Sequence, residues 1–304
     1  MCDLLGVSRA SHYRYWQASA PRQEETEVRD AMQCLALANR HYGYRRIGVL
    51  LRQQGFVVNH KRVLRLLRED NLLYLRQRAF VPMTTQSDHR WPVMPNLVHG
   101  LQSTAPDQIW VADITYIRLR EGFVYLAVVL DAFSRKVVGW ALDAHLRASL
   151  AIEALQQALA ARRPPRGLIH HSDQGTQYAC EEYRTLLEQH GLQASMSRAG
   201  NPYDNAKAES FMATLKREQI DGRVYRDLAE VRADIGPFIE RVYNLKRLHS
   251  ALGYRSPEQF ETAHQAVSRP GGHGAARSQG SAPSPPNNVI EPGNATATMQ
   301  KFSP

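Results

Sequence analysis

Apolar positions recur at helical spacing through the first quarter of the chain. Leu4 and Leu5 lead into Gly6-Val7-Ser8, with Ala10 to Trp16 following. Gly6 suits a tight turn and Ser8 a helix cap, so residues 1–20 are expected to form the turn and second helix of a partial helix-turn-helix. Residues 27–74 predict a fuller unit: a helix from Val28 to Ala38, then one from Tyr44 to Gln54 with Ile47, Leu50 and Leu51 on one side. Gly55 to Val58 turns the chain, and Asn59 caps a third helix from His60 to Asp70. On that third helix Val63, Leu64, Leu66 and Leu67 make the apolar face, and Lys61, Arg62, Arg65 and Arg68 lie elsewhere. Basic residues at the start and along the outside of such a helix suit a DNA groove or its phosphates. A small bundle with a solvated basic face is the alternative.

Periodicity then fades. Residues 75–105, with Pro82, Pro92 and Pro95, read as a linker. Beyond them the pattern changes to strands: Ile109 to Leu119, Phe123 to Leu130 and Lys136 to Leu142 are rich in Val, Ile, Tyr and Phe. An Ala/Leu helix from Arg147 to Ala161 ends before Pro164-Pro165. A short strand at Leu168 to His170, a helix from Gln177 to His190, a strand from Leu192 to Met196, a Gly/Pro/Asn loop and a helix from Ala206 to Gln219 complete the series. Three meandering strands followed by alternating helices and strands predict an α/β fold, a mixed sheet flanked by helices in the order of a ribonuclease-H-like core, over residues 106–222. A helical extension is expected over 223–266. From Ser268 to Pro304, 16 of 37 residues are Gly, Pro or Ser, and the tail 267–304 reads as disordered.

Composition adds direction. Of 304 residues, 43% are hydrophobic and 22% charged, enough for a buried core. The longest apolar run is the eight residues Phe123 to Leu130, well short of the roughly 20 that span a bilayer. Three scattered cysteines make neither a disulfide framework nor a CxxC zinc pair. A soluble, cytoplasmic protein is expected. The net charge of +9 is uneven: residues 1–100 carry +7, residues 101–224 none, and the remainder +2. A basic first third before a neutral middle fits an anionic partner held by one part and processed by another.

Within the neutral middle, Asp113 is the one charged residue between Ile109 and Ile117, in a strand where an unpaired carboxylate is costly. Asp173 follows a short strand, and Glu209 opens a helix. Alone, each has an ordinary reading as a paired core residue, a turn residue or a helix-dipole partner. Together they can converge on one sheet edge. Oxygen-only ligands select Mg²⁺ or Mn²⁺, and two such ions about 4 Å apart suit in-line phosphoryl displacement.

Five runs sharpen this: Trp110-Val111-Ala112-Asp113-Ile114-Thr115-Tyr116, Val129-Leu130-Asp131-Ala132-Phe133-Ser134-Arg135, His171-Ser172-Asp173-Gln174-Gly175, Asn201-Pro202-Tyr203-Asp204-Asn205 with Glu209, and Tyr243-Asn244 with His249 to Pro257. With Tyr42-Gly43-Tyr44-Arg45-Arg46-Ile47, they resemble the second-reading-frame transposases of the IS-three family of bacterial insertion sequences, within the retroviral integrase superfamily. The resemblance implies that Asp113, Asp173 and Glu209 form a catalytic, metal-holding triad. It implies that Lys216 contacts DNA near the scissile end, and that a multimer of the chain acts on the inverted-repeat ends of an element and on target DNA. It also implies fusion to, or help from, an upstream-frame product that would supply the missing first helix. Arg45, Arg46, Lys61, Arg62, Arg65 and Lys207 are further DNA-contact candidates, as are Arg135 and Asn205, with surface solvation the open alternative. No His-His-Cys-Cys zinc module precedes the core, so His170 and His171 read as strand-end residues. Asp131 and Asp204 read as loop-shaping acids outside the triad. A nuclease that only hydrolyses, or a silent DNA-binding repressor, would share parts of this pattern.

Overall fold

The β-branched and aromatic runs pair as their alternation requires. The computed structural model describes residues 23–73, 93–198 and 205–268. The partial helix-turn-helix of 1–20, the linker residues 74–92, the loop 199–204 with Asp204, and nearly all of the tail lie outside these residues. Three helices open the described chain: α1 (Gln23–Ala38), α2 (Tyr44–Gln53) and α3 (His60–Glu69). They close around Met32, Ile47, Leu51, Val63, Leu66 and Leu67. Gly55 takes φ +94° at the turn between α2 and α3, a backbone shape that L side chains resist. The Asn59 side chain accepts from the Lys61 N–H at 2.9 Å, capping α3 as its sequence predicts.

Five strands follow: β1 (Ile109–Arg118), β2 (Phe123–Asp131), β3 (Val137–Asp143), β4 (Ile169–Ser172) and β5 (Gln193–Met196), ordered β3-β2-β1-β4-β5. The first three are antiparallel neighbours, while β4 runs parallel to β1, and β5 to β4. This is the predicted mixed sheet. Helix α4 (Ala148–Arg162), with α5 (Thr176–Ala179) and α6 (Glu181–Gln189), covers one face over Trp110, Ala112, Ala127 and Val129. Helix α7 (Ala206–Leu215) and α8 (Leu228–Pro237) cover the other, over Val111, Ile117, Val124, Leu126 and Val128.

The boundaries differ from expectation in three places. The helix expected from Gln177 to His190 is two helices, because Cys180 takes an extended conformation between them. The helix expected to run to Gln219 stays α-helical to Leu215 and widens into a π-helical turn over Lys216–Ile220. The described end of the expected linker is fastened to the core, where Ser195 Oγ accepts from the Leu97 N–H at 2.9 Å and Val98 packs among the buried residues. The extension adds a second π-helical turn (Phe238–Tyr243), a 3₁₀ turn (Ser250–Leu252) and α9 (Pro257–Ser268). Its Val231, Ile235, Phe238, Ile239 and Tyr243 share the core of the α7 face, so the extension completes that layer.

Candidate active site

Strand alternation decides where Asp113 sits. Val111 and Ile117 are buried on the α7 side of β1, and Trp110 and Ala112 on the α4 side. Asp113 therefore lies on the α7 side. The parallel ladder pairs Ile109, Trp110 and Val111 with Ile169, His170 and His171. Continued two residues past the last pair, that register brings Asp173 beside Asp113. The electrostatics agree. The Asp113 carboxyl is pushed up to about 7, first by burial and then by the charge of Asp173, with Glu209 adding to the push. The Ile114 N–H, donating to Asp113 Oδ1 at 2.8 Å, and the nearby Lys216 favour the ionised form.

Asp173 is held by its own loop: Oδ1 accepts from the Gly175 N–H at 3.0 Å. A Cβ on Gly175 would stand 3.0 Å from the same oxygen, which explains the glycine in Asp-Gln-Gly. Glu209 is an exposed residue in the first turn of α7, and its carboxyl is raised by partial desolvation. Asn205, at the cap position of α7, does not cap it. Its Nδ2 instead donates to the Ala112 carbonyl at 3.0 Å, tying the start of the Glu209 helix to the residue before Asp113. Asn205 is 6% exposed, and its buried Oδ1 has no hydrogen-bond partner among the described residues. Lys216 Nζ lies 4.9 Å from the centre of the Tyr116 ring; burial lowers its pKa, and the charges of Asp113 and Asp221 act the other way.

Asp113 is thus within electrostatic reach of both other acids, although among the described residues no three His, Cys, Asp or Glu side chains are gathered so as to enclose a metal ion. The donor set nevertheless fits a hard divalent cation. Its groups are carboxylates alone, and a cation beside the buried Asp113 would offset both its burial and the charge of Asp173.

Asp131, His170 and His171 have structural partners. Asp131 is fully buried; Oδ1 accepts from the Phe133 and Ser134 N–H groups at 2.9 and 2.8 Å, and Oδ2 from the Asp107 N–H at 2.7 Å. It shapes the turn after β2. His171 bonds Ser195 and Ser197 through its two ring nitrogens, and His170 bonds the Tyr183 hydroxyl.

The basic candidates divide. Lys61 and Arg45 are exposed, with Arg45 lying over the Tyr44 ring, and Arg62 is half-buried. Arg65 is exposed but engaged by Glu25 and Glu69 at 3.0 and 2.9 Å. Lys207 is half-buried and lines a cavity of about 420 Å³ with His99 and Arg198. Arg46 is also half-buried; it turns to the Tyr42 ring at 5.1 Å and lies near Arg247. Sequence reasoning missed the strand tie of Asn205 and the whole surrounding of Arg46. The sole sequence signal for the first was an Asn one helical turn ahead of Glu209.

Two family models described as integrase core domain match residues 103–202 and 190–257, and one described as HTH-like domain matches residues 23–80. Fold and site together define an integrase-type core behind a helical DNA-binding type of domain. The relatives narrow this. The chain is 39% identical over 272 residues to the transposase InsF for insertion sequence IS3A of Escherichia coli (strain K12), covering 88% of this chain and 94% of that protein. It is 42% identical over 221 residues to the transposase for insertion sequence element IS904 of Lactococcus lactis, covering 72% and 87%. An uncharacterized 31 kDa protein of insertion element IS600 from Shigella sonnei is 41% identical over 270 residues, covering 87% and 99%. The chain belongs to the IS3 family of insertion-sequence transposases. Among solved structures, the HTLV-2 integrase catalytic core in complex with magnesium aligns at 16% identity and TM-score 0.42, over 53% of this chain and 99% of that one.

Proposed function

We propose that this transposase cleaves the ends of its insertion element and joins them to target DNA, with Asp113, Asp173 and Glu209 as the metal-holding catalytic acids. The observation that carries the reading is the placement of a buried Asp113 on the sheet face that α7 covers with Glu209 in its first turn, in register with Asp173, where burial first and the charges of Asp173 and Glu209 next raise its carboxyl. Bound divalent cations, Mg²⁺ or Mn²⁺ and two in number in this reading, would supply the positive charge that in-line phosphoryl displacement needs at its attacking and leaving oxygens. Asp113 and Asp173 hold their side of the site from the sheet, and Glu209 from the helix. Lys216 adds a fixed positive charge beside Asp113, suited to a phosphate of the scissile strand. Cleavage frees a 3′-hydroxyl, which then attacks a phosphodiester of the target. One P–O bond forms for each broken, so the exchange needs no nucleotide energy source.

In this reading the basic residues Lys61, Arg62, Arg65 and Arg45 contact DNA from the helical domain, and Lys207 from the core. The active form is a multimer on paired ends, in the cytoplasm of a bacterium, alone or joined to an upstream-frame product. No described helix is long and apolar enough to cross a membrane. The HTH-like domain favours a transposase over a nuclease that only hydrolyses. Labelled element ends, incubated with the protein, Mg²⁺ and target DNA, decide the matter. Joined products are expected; shortened products alone would identify a nuclease. Asp113→Asn, Asp173→Asn and Glu209→Gln should each abolish joining and leave end binding largely intact. Near-normal joining by any of them removes that residue from the triad.

A further inference from the structure

The helical domain and the Glu209 helix meet through residues that the DNA-cutting chemistry does not use. The Leu248 N–H donates to Tyr42 Oη at 3.0 Å, across 206 positions of sequence. Tyr42 stands just before α2, and the Arg46 guanidinium lies over its ring. Next to Leu248, Arg247 donates to both oxygens of Glu218 at 2.9 and 2.7 Å, and the two side chains are only 4% and 6% exposed. Glu218 belongs to the π-helical turn that continues α7. Arg247 also lies over the Tyr243 ring, and Tyr243 meets Phe211 edge-on at 4.8 Å, two residues after Glu209.

The charges at this junction are lopsided. Arg46 and Arg247 repel each other, and Glu218 attracts both. A buried guanidinium is tolerated when an anion and an aromatic face receive it, and Glu218, Tyr42 and Tyr243 supply these here. A basic residue turned to such a junction is poorly placed to follow a DNA backbone. We propose that Tyr42 and Arg46 are positioning residues: they dock the helical domain on the Glu218–Arg247 pair and so brace the helix that presents Glu209 and Lys216. The helical domain then serves the catalytic site as well as the DNA. This rests on the triad reading for its consequence in catalysis, but not for the docking itself.

The full-length chain tests both parts. Tyr42→Phe keeps the ring and removes the hydroxyl that accepts from Leu248, and Arg46→Met keeps much of the stem and removes the charge. Hydrogen–deuterium exchange should rise about fivefold at Leu248 and across residues 206–220 in either variant, the size expected for one lost hydrogen bond. At saturating element ends the joining rate should fall by a similar factor while end affinity stays within about twofold. Arg46→Lys should recover part of the rate. Unchanged exchange in both variants overturns the proposal. So does a large loss of end affinity in Arg46→Met with exchange unaltered, because the arginine would then belong to the DNA. If the wild-type chain joins no ends by itself, the joining rates are read on the chain joined to its upstream-frame product, and the exchange data decide the docking independently of the triad.

Discussion

Asp113 shows how one residue can be legible in sequence and yet depend on its neighbours for its character. A lone acid in an apolar strand marks a special position, but only folding buries it and brings Asp173 and Glu209 close enough to add to the rise. Because its folded value, about 7, lies above the ordinary 3.8, the folded protein holds a proton that the unfolded chain releases. The stability this contributes is present at low pH and is lost as pH rises between those two values. In chelator, Asp113→Asn should therefore melt higher than the wild type at pH 8, with the difference shrinking toward pH 4. Thermal scans at the two pH values check this; an Asn variant that melts lower at pH 8 would show that neither burial nor repulsion penalises the ionised Asp113. Asn205 was a residue of the opposite kind. Its sequence context left DNA contact and solvation open, and the fold buries it against the Ala112 carbonyl.

At the scale of elements, β1, β2 and β3 were legible because each is rich in β-branched and aromatic residues and pairs with its chain neighbour. Strand β4 is only four residues long, and its partner β1 lies far back in the chain. No local signal sets that parallel register, although it is what brings Asp173 to Asp113. The π-helical turn after α7 was equally hidden, since Lys216–Ile220 is an ordinary helical sequence. Gly139 exposes another element-level constraint. A Cβ there would lie 2.2 Å from the Ala154 carbonyl and 2.7 Å from the Ala158 nitrogen, both backbone atoms of α4. Glycine lets α4 settle directly on β3. Gly139→Ala should push the helix off the sheet and destabilise the protein by at least about 1–3 kcal/mol, the cost of overpacking a close-packed core. Chemical denaturation measures it, and a variant as stable as wild type would mean that α4 can slide without penalty.

For the molecule as a whole, the C-terminal extension acts as a strap on the catalytic core. Glu261 in α9 is 4% exposed and receives both ends of the Arg162 guanidinium at 2.9 and 2.7 Å, together with the Ser134 hydroxyl at 2.7 Å. Lys136 pairs with Glu258 one turn earlier. Burial alone would raise Glu261, but its bonds to Arg162 and Ser134 hold it below the ordinary 4.5. Its contribution to stability is therefore complete above that value and is lost as pH falls through the depressed one. Glu261→Gln should cost about 1.5–3 kcal/mol at neutral pH, the worth of a charged hydrogen bond, because Arg162 then keeps Asp107 as its one remaining anion among the described residues. The gap from wild type should narrow in acid. A denaturation series from pH 7 to pH 3 gives both values, and a constant gap would assign the loss to packing instead of charge.

The sequence by itself determined most element types, the neutral core behind a basic first third, the three candidate acids and the family, because propensity, composition and short motifs are local properties. Tertiary structure alone decided what those residues meet. It set Asp173 against Asp113 through a long-range register, gave Asn205 and Asp131 buried tasks, and turned Arg46 from the basic face to the Glu218–Arg247 pair. The physical reason is the same in each case: a hydrogen bond or a charge acts over a few ångströms, and which groups come that close depends on contacts made across a hundred residues or more.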